Sequence, residues 1–431
     1  MHARAILALA LALAGTAAPA SAQGVGVIWG SGPTDVWAIT NRPSALHWDG
    51  QRWSETPLMA SGTILALWGS GPRDVFAVGE SGTILHFNGT LWAPMSAGTQ
   101  RDIVAVGGRS AAEVYALAQS EGDTDHPLLL RYDGRQWTAA PLTLPFRASA
   151  MAVIPTEIVV TGVAYFDPRP EERRQAGVLA RMRGGVWSVT GFDGRRVTDS
   201  LVGGAGWVGM GVTGATTVLY GQREDGSRVL ALQSAGRWTR VSPPDLPQGM
   251  RGDDARLVVA ADGTPVLLLA NGFARWAAGR WALVSPRAQM QSQSQQMQQA
   301  MEALNLRPGQ APTPEQLRQI QRISAQAQQA MTGPGSAGQM TAMDFGSEPV
   351  AWAPSGADFW VGTSSGRIVH VTGENAQIAY DASCADPNLA RYNPTCATLA
   401  PAAAPAAAPG QQRQPVRTPI PEPSRRTKPR P

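Results

Sequence analysis

WGSGPTDVWAIT (Trp29–Thr40) and SALHWDGQRW (Ser44–Trp53) form one unit, and it returns 39 residues later as WGSGPRDVFAVG (Trp68–Gly79) and GTILHFNGTLW (Gly82–Trp92). A third copy keeps EVYAL (Glu113–Leu117) and LRYDG (Leu130–Gly134), ends at Trp137, and is lengthened by Glu121–Pro127. Each copy alternates short β-branched or aromatic runs with turn residues. Gly-Pro makes the first turn, DVWAI or DVFAV is a strand, and Asp-Gly or Asn-Gly before the closing Trp marks a hairpin. The apolar run before W-G-S-G supplies the fourth strand. Four strands at a period of about 40 to 50 residues describe one blade of a β-propeller.

Working outward, later copies decay but keep a Gly followed shortly by Trp. The closing residues are Trp53, Trp92, Trp137, Trp187, Trp238 and Trp281, spaced 39, 45, 50, 51 and 43. WAPSGADFWVGTSSGRIVHVTG (Trp352–Gly373) restarts the pattern, with Ala376 where the closing Trp would fall. The count gives an all-β, seven-bladed β-propeller over residues 23–399, with six or eight blades as the alternatives. A solenoid would show shorter, more uniform repeats.

The W-G-S-G-P-x-D-V-W-A-V pattern with a later H-x-D-G-x-x-W resembles exported bacterial propeller repeats of the sialidase-type (BNR) and photosystem-assembly-factor-like groups. FWVGTSSG (Phe359–Gly366) also resembles repeats of periplasmic sensor propellers. The resemblance is clear in units one, two and seven, faint in four to six, and implies fold, not activity. Because Asp and Gly are adjacent in Asp49-Gly50 and Asp133-Gly134, the sialidase S-x-D-x-G-x-x-W box is absent. No sialidase catalytic residue carries over.

The 431-residue chain has a net charge of +4, 16% charged residues and two cysteines. That cysteine count excludes a disulfide scaffold and a multi-cysteine metal site. Residues 1–22 read as a signal peptide: Arg4 precedes the apolar Ala5–Ala14, and Ala20-Ser21-Ala22 is a small-x-small cleavage site. No other run is long and apolar enough for a transmembrane helix. The mature protein is therefore expected in a bacterial periplasm or outside the cell, where Cys384 and Cys396 would close a disulfide. Residues 400–431 read as a disordered, Pro/Ala-rich tail with Arg413, Arg417, Arg425, Arg426, Lys428 and Arg430 against Glu422. The positive charge thus belongs to the tail, which argues against a nucleic-acid-binding domain and allows weak contact with an anionic surface.

Residues 286–340 break the β pattern and read as a Gln/Met-rich helical hairpin inserted between blades six and seven. Met290, Met297, Met301 and Leu304 share one helical face. After a break, Thr313, Pro314 and Gln316 look like a capping box, and Leu317, Ile320 and Met331 continue the stripe. That face packs on the propeller or receives a partner, as methionine-rich faces do.

His47, His86 and His370 hold one register position, with Arg131, Arg181 and Arg275 near the matching places. Such residues are expected to serve a strand-edge or inter-blade hydrogen bond, with a shared metal site the alternative. Asp35, Asp74, Glu113, Glu157 and Asp358 recur before the second strand and are expected to cap the preceding turn. The closing Trps are expected between blades. Trp207, Trp276 and Trp360, less regular, are the better candidates for an exposed stacking platform. Glu121–His126 is an acidic loop with oxygen ligands that could hold Ca²⁺ or simply be solvated. Asp167–Arg174 reads as a charge-balanced excursion. No nucleophile elbow, phosphate loop or zinc spacing is present, and no cofactor is expected. The favoured function is a non-catalytic scaffold binding a protein partner in the cell envelope. A glycan-active hydrolase or lyase, or a ligand-sensing module, is the alternative.

Overall fold

The computed structural model describes residues 24–399 outside 42–43, 121–125, 143–145, 170–171, 193–195, 214–215, 243, 245–254, 286–312, 314, 320, 323–341, 347–348, 386–389, 392 and 398. Seven four-stranded antiparallel sheets follow one another along the chain. Each is a meander whose strands neighbour in sequence order, so every blade is built from one continuous stretch. The first strands (Val25–Gly32, Ile64–Gly71, Ile103–Ser110, Arg147–Ile154, Gly206–Thr213, Arg256–Val259 and Val350–Ser355) contact one another in turn, and the seventh meets the first. The molecule is a seven-bladed β-propeller with those strands innermost.

The W-G dipeptide has a packing reason. A side-chain carbon placed on Gly30 would sit 2.8 Å from the Trp352 ring, one on Gly69 2.8 Å from Trp29, and one on Gly108 2.5 Å from Trp68. Each tryptophan therefore lies over the glycine of the next blade, and only a residue without Cβ admits it. The closing Trps pack backward. Trp53 meets Trp360 of blade seven, with ring centroids 5.9 Å apart and planes 75° apart. Trp92 meets Trp37 at 5.5 Å and 86°, and Trp137 meets Phe76 at 6.0 Å and 88°, the tilted-edge geometry aromatic pairs prefer. Trp187, Trp238 and Trp281 border the apolar clusters shared with blades three, four and five. Ala376 pairs with Val371 in the register that Trp53 holds with Trp48. There Phe359 and Phe273 of blade six fill the seam, 4.9 Å apart at 87°.

Strand direction alternates, so turns after first and third strands lie on one face and connections after second and fourth strands on the other. The first face carries short turns, pinned where Asp49, Asn88 and Asp133 accept backbone N–H bonds two and three residues on. The second carries all the long connections, among them 119–127, 191–205, 242–255 and 285–349. In blade four the second and third strands, Glu157–Arg169 and Glu172–Arg183, pair well past their neighbours' lengths. Asp167–Arg174, read as an excursion, is thus the end of a long hairpin on this face.

Of the inserted segment, residues 315–319, 321 and 322 are helical. Thr313 and Gln316 make the expected reciprocal bonds: the Thr313 N–H donates to Gln316 Oε1 (2.9 Å), and the Gln316 N–H to Thr313 Oγ1 (3.3 Å). Leu317 is 45% exposed. Met290, Met297, Met301, Leu304, Ile320 and Met331 lie outside the described residues, as do 1–22 and 400–431. Cys384 and Cys396 form a disulfide.

Gly69→Ala is expected to lower unfolding stability by about 1–3 kcal/mol through overpacking against the Asp74 carbonyl (2.5 Å) and Trp29 (2.8 Å). Gly71→Ala, with open space at its Cβ position, is expected to be near neutral. Equal denaturant midpoints for the two variants would remove the interlock as a stabilising device.

Candidate functional site

Three polar clusters recur on the tight-turn face. His47 Nε2 lies 2.7 Å from Asp35 Oδ1, His86 Nε2 2.7 Å from Asp74 Oδ1, and His370 Nε2 2.8 Å from Asp358 Oδ1. Ser31 and Ser70 donate to the other oxygen of Asp35 and Asp74 at 2.5 Å. The imidazoles stack on Trp37, Phe76 and Trp360 at 4.0, 4.3 and 4.1 Å. Two expectations change here. The histidines bond within their own blade, from third strand to second, not between blades. Asp35 and Asp74 act mainly as hubs for a serine and a histidine, and Asp358 holds a histidine.

This order of contacts decides the chemistry. An activated serine needs its hydroxyl on the imidazole, with the carboxylate behind. Here serine and histidine both point at the carboxylate, so the cluster neutralises polar groups and fixes a turn. Each histidine has its own aspartate, and no group of three or more potential metal-ligating side chains occurs among the described residues.

Blades three and four replace the hub. Arg109 and Tyr115 donate to Glu113 Oε1, at 2.5 and 3.0 Å. In blade four, Glu157 is 3% exposed and holds Arg181 on one oxygen and Arg183 on the other, at 2.7 Å. Arg181 continues into blade five, donating to Thr217 Oγ1 and Gln233 Oε1, both at 2.7 Å.

The long-loop face carries the other candidate. A hollow of about 340 Å³ opens at the channel mouth where blades three, four and five meet. Gln119 follows the second strand of blade three, Arg147 and Ser149 lie at the start of the first strand of blade four, and Tyr165 and Gln175 face each other across its hairpin. Gln222 ends the second strand of blade five. Ser149 Oγ donates to the backbone oxygen of Trp207 (2.6 Å), which locks the floor to blade five. Sequence reasoning missed these residues, because they carry no repeat signal and meet only through the fold.

The aromatic platform candidates divide. Trp207 and Trp360 are buried, 1% and 2% exposed, so neither can stack a ligand. Trp207 Nε1 donates to the Val202 carbonyl (2.7 Å). Trp276 does border an open groove, of about 630 Å³, with Trp281 between the outer strands of blades five and six. The carbonyl of His126, at the end of the acidic loop, accepts from Arg101 (2.8 Å); residues 121–125 lie outside the described residues.

No family model matches the chain. No curated protein matches it. Among solved structures it is similar to YCF48 bound to D1 peptide, at 11% identity over 82% of this chain and 93% of that one, with a TM-score of 0.49. It is also similar to the WD40 β-propeller domain of Doa1, at 10% identity over 81% and 92%, TM-score 0.46. The β-propeller domain of Cps50 (Swd1) from Myceliophteria thermophila is similar at 10% identity over 81% and 97%, TM-score 0.47.

Burial pushes the Asp35 carboxyl up, but the hydrogen bonds and charge of His47 and the Ser31 bonds outweigh it and hold it below its ordinary value. A carboxyl depressed in the folded state stabilises above its unfolded pKa and loses that contribution as pH falls through the folded one. Asp35→Asn is therefore expected to cost about 1–3 kcal/mol at pH ~7, and the gap to the unaltered chain to narrow as pH falls below the ordinary carboxylate range. Urea unfolding across that pH range checks this; a gap that widens toward acid refutes it.

Proposed function

We propose that this chain is an exported, non-catalytic propeller that serves as a protein-binding scaffold in the cell envelope, engaging its partner through the long-loop face. One observation carries the reading. Every connection longer than a tight turn leaves from that face, and a polar hollow opens on it where three blades meet. Irregular loops on a rigid scaffold are where binding residues concentrate. The opposite face spends its histidines, serines and carboxylates on holding turns. The helical segment also leaves from the long-loop face and presents Leu317 to solvent. Export rests on the leader-like residues 1–22 and on the Cys384–Cys396 disulfide, a bond that persists in oxidising compartments.

Two measurements test this. N-terminal analysis of the protein from its native cells is expected to begin at Gln23. A photo-crosslinking residue at Met59, which is 81% exposed on the long-loop face, or at Leu317 is expected to give a discrete heteromeric adduct in the envelope. The same residue at Val186, 71% exposed on the tight-turn face, is expected to give none. Adducts from Val186 alone, or equally from all three, would overturn the assignment of the face.

A further inference from the structure

Two hollows abut along the long hairpin of blade four. The inner is the 340 Å³ pocket at the channel mouth. The outer, about 400 Å³, lies between that hairpin and blade five and is bordered by Phe166, Arg174, Val197, Arg223, Glu224 and Asp225. Gln175 borders both, and its backbone N–H donates to Glu224 Oε1 (3.2 Å), tying the hairpin to blade five. Together they form one groove running from the channel outward.

The chemistry of its inner end is unusual. Three primary amides, Gln119, Gln175 and Gln222, converge with the hydroxyls of Ser149 and Tyr165, and no carboxylate is among the described lining residues. A primary amide carries donors and an acceptor in one plane, the complement of a peptide main chain. Gln119 Oε1 is buried without a hydrogen-bond partner among the described residues. Such an atom costs stability. Arg147, exposed at the pocket's edge, has no carboxylate partner among the described residues. The volume sits at the small end of ligand pockets, room for a short stretch of extended chain.

We propose that this groove binds an extended, carboxylate-bearing peptide segment of a partner protein, with Arg147 on the carboxylate and the glutamine amides on the main chain. The proposal deepens the scaffold reading and rests on it. A display library of short peptides, panned on the full mature chain, tests it. Selected peptides are expected to be enriched in Asp or Glu, and fluorescence anisotropy is expected to show binding that weakens with salt. Arg147→Glu, at an exposed site, is expected to cost about tenfold or more in affinity, the worth of a charge-assisted hydrogen bond, and Gln119→Leu a smaller factor. Arg52→Glu, on the tight-turn face, is expected to bind as the unaltered chain does. Peptides without acidic enrichment, peptides indifferent to Arg147→Glu, or a glycan array whose hits lose binding in Arg147→Glu would each overturn the proposal. Adducts at Met59 or Leu317 beside any of those outcomes would leave the scaffold standing and remove only this groove.

Discussion

Side-chain packing across the seams between blades holds this ring together. Blade seven is completed by its own outer strand, Asn375–Asp381, and blade one by its own inner strand. No strand is shared across the closing seam. One backbone bond crosses its inner edge, from the Val25 N–H to the Thr363 carbonyl (2.9 Å). The rest of the closure is apolar: Trp352 over Gly30, and Trp53, Trp360 and Tyr380 gathered with Val25, Ile28 and Ile368. That is the same arrangement found between blades one and two, so the last seam resembles an internal one. Burying large aromatics is the strongest non-covalent means a β-sheet edge-to-face contact has. Beyond the last strand, Asp381 adds a local latch. It is 4% exposed and accepts from Ser383, Asn393 and Arg367, which anchors the start of the disulfide loop to blade seven.

This construction separates maintenance from recognition. The tight-turn face repeats the same contacts at the same register, so a change there is felt as a loss of fold. The long-loop face varies in length from blade to blade, and short stretches of its connections, such as Ala342, Met343 and Phe345, are buried in the seams. Loop closure costs grow only slowly with length, so an insertion of the size of 285–349 leaves the blades it joins intact: the inner and outer strands flanking it, Arg280–Val284 and Val350–Ser355, keep their places in their sheets.

What could be read in the chain follows from what repeats. The strands, the turns and the closing Trp positions recur every 39 to 51 residues, and the blade count follows from them. The aspartate–histidine pairs were also within reach: each His lies twelve residues after its Asp in all three copies. That constant spacing across a hairpin pointed to a bond between adjacent strands of one blade. Trp207 and Trp360 misled because their irregular spacing suggested surface, whereas each fills a seam from a second or first strand. Gln119, Arg147 and Gln222 could not be found, since each is ordinary in its own blade and becomes notable only beside the others. Of the Gln/Met segment the capping box forms, while the stripe apart from Leu317 lies outside the described residues.

The decay of the repeat is itself informative. Blades one, two and seven keep the Asp–His hub, and blades three and four substitute Arg–Glu. An imidazole ends its reach at its own aspartate. A guanidinium has five donors in a fork and can hold a carboxylate while donating elsewhere. Arg181 does both, joining Glu157 of blade four to Thr217 and Gln233 of blade five. Arg109 does the same across the previous seam, from Glu113 to the Ile154 carbonyl (2.9 Å). The two seams that gain these polar ties are the two that flank the blade with the long hairpin and the amide-lined hollow. Departure from the repeat thus coincides with added polar ties on both sides of that blade, as expected if a preorganised groove must keep its walls fixed while its occupant comes and goes.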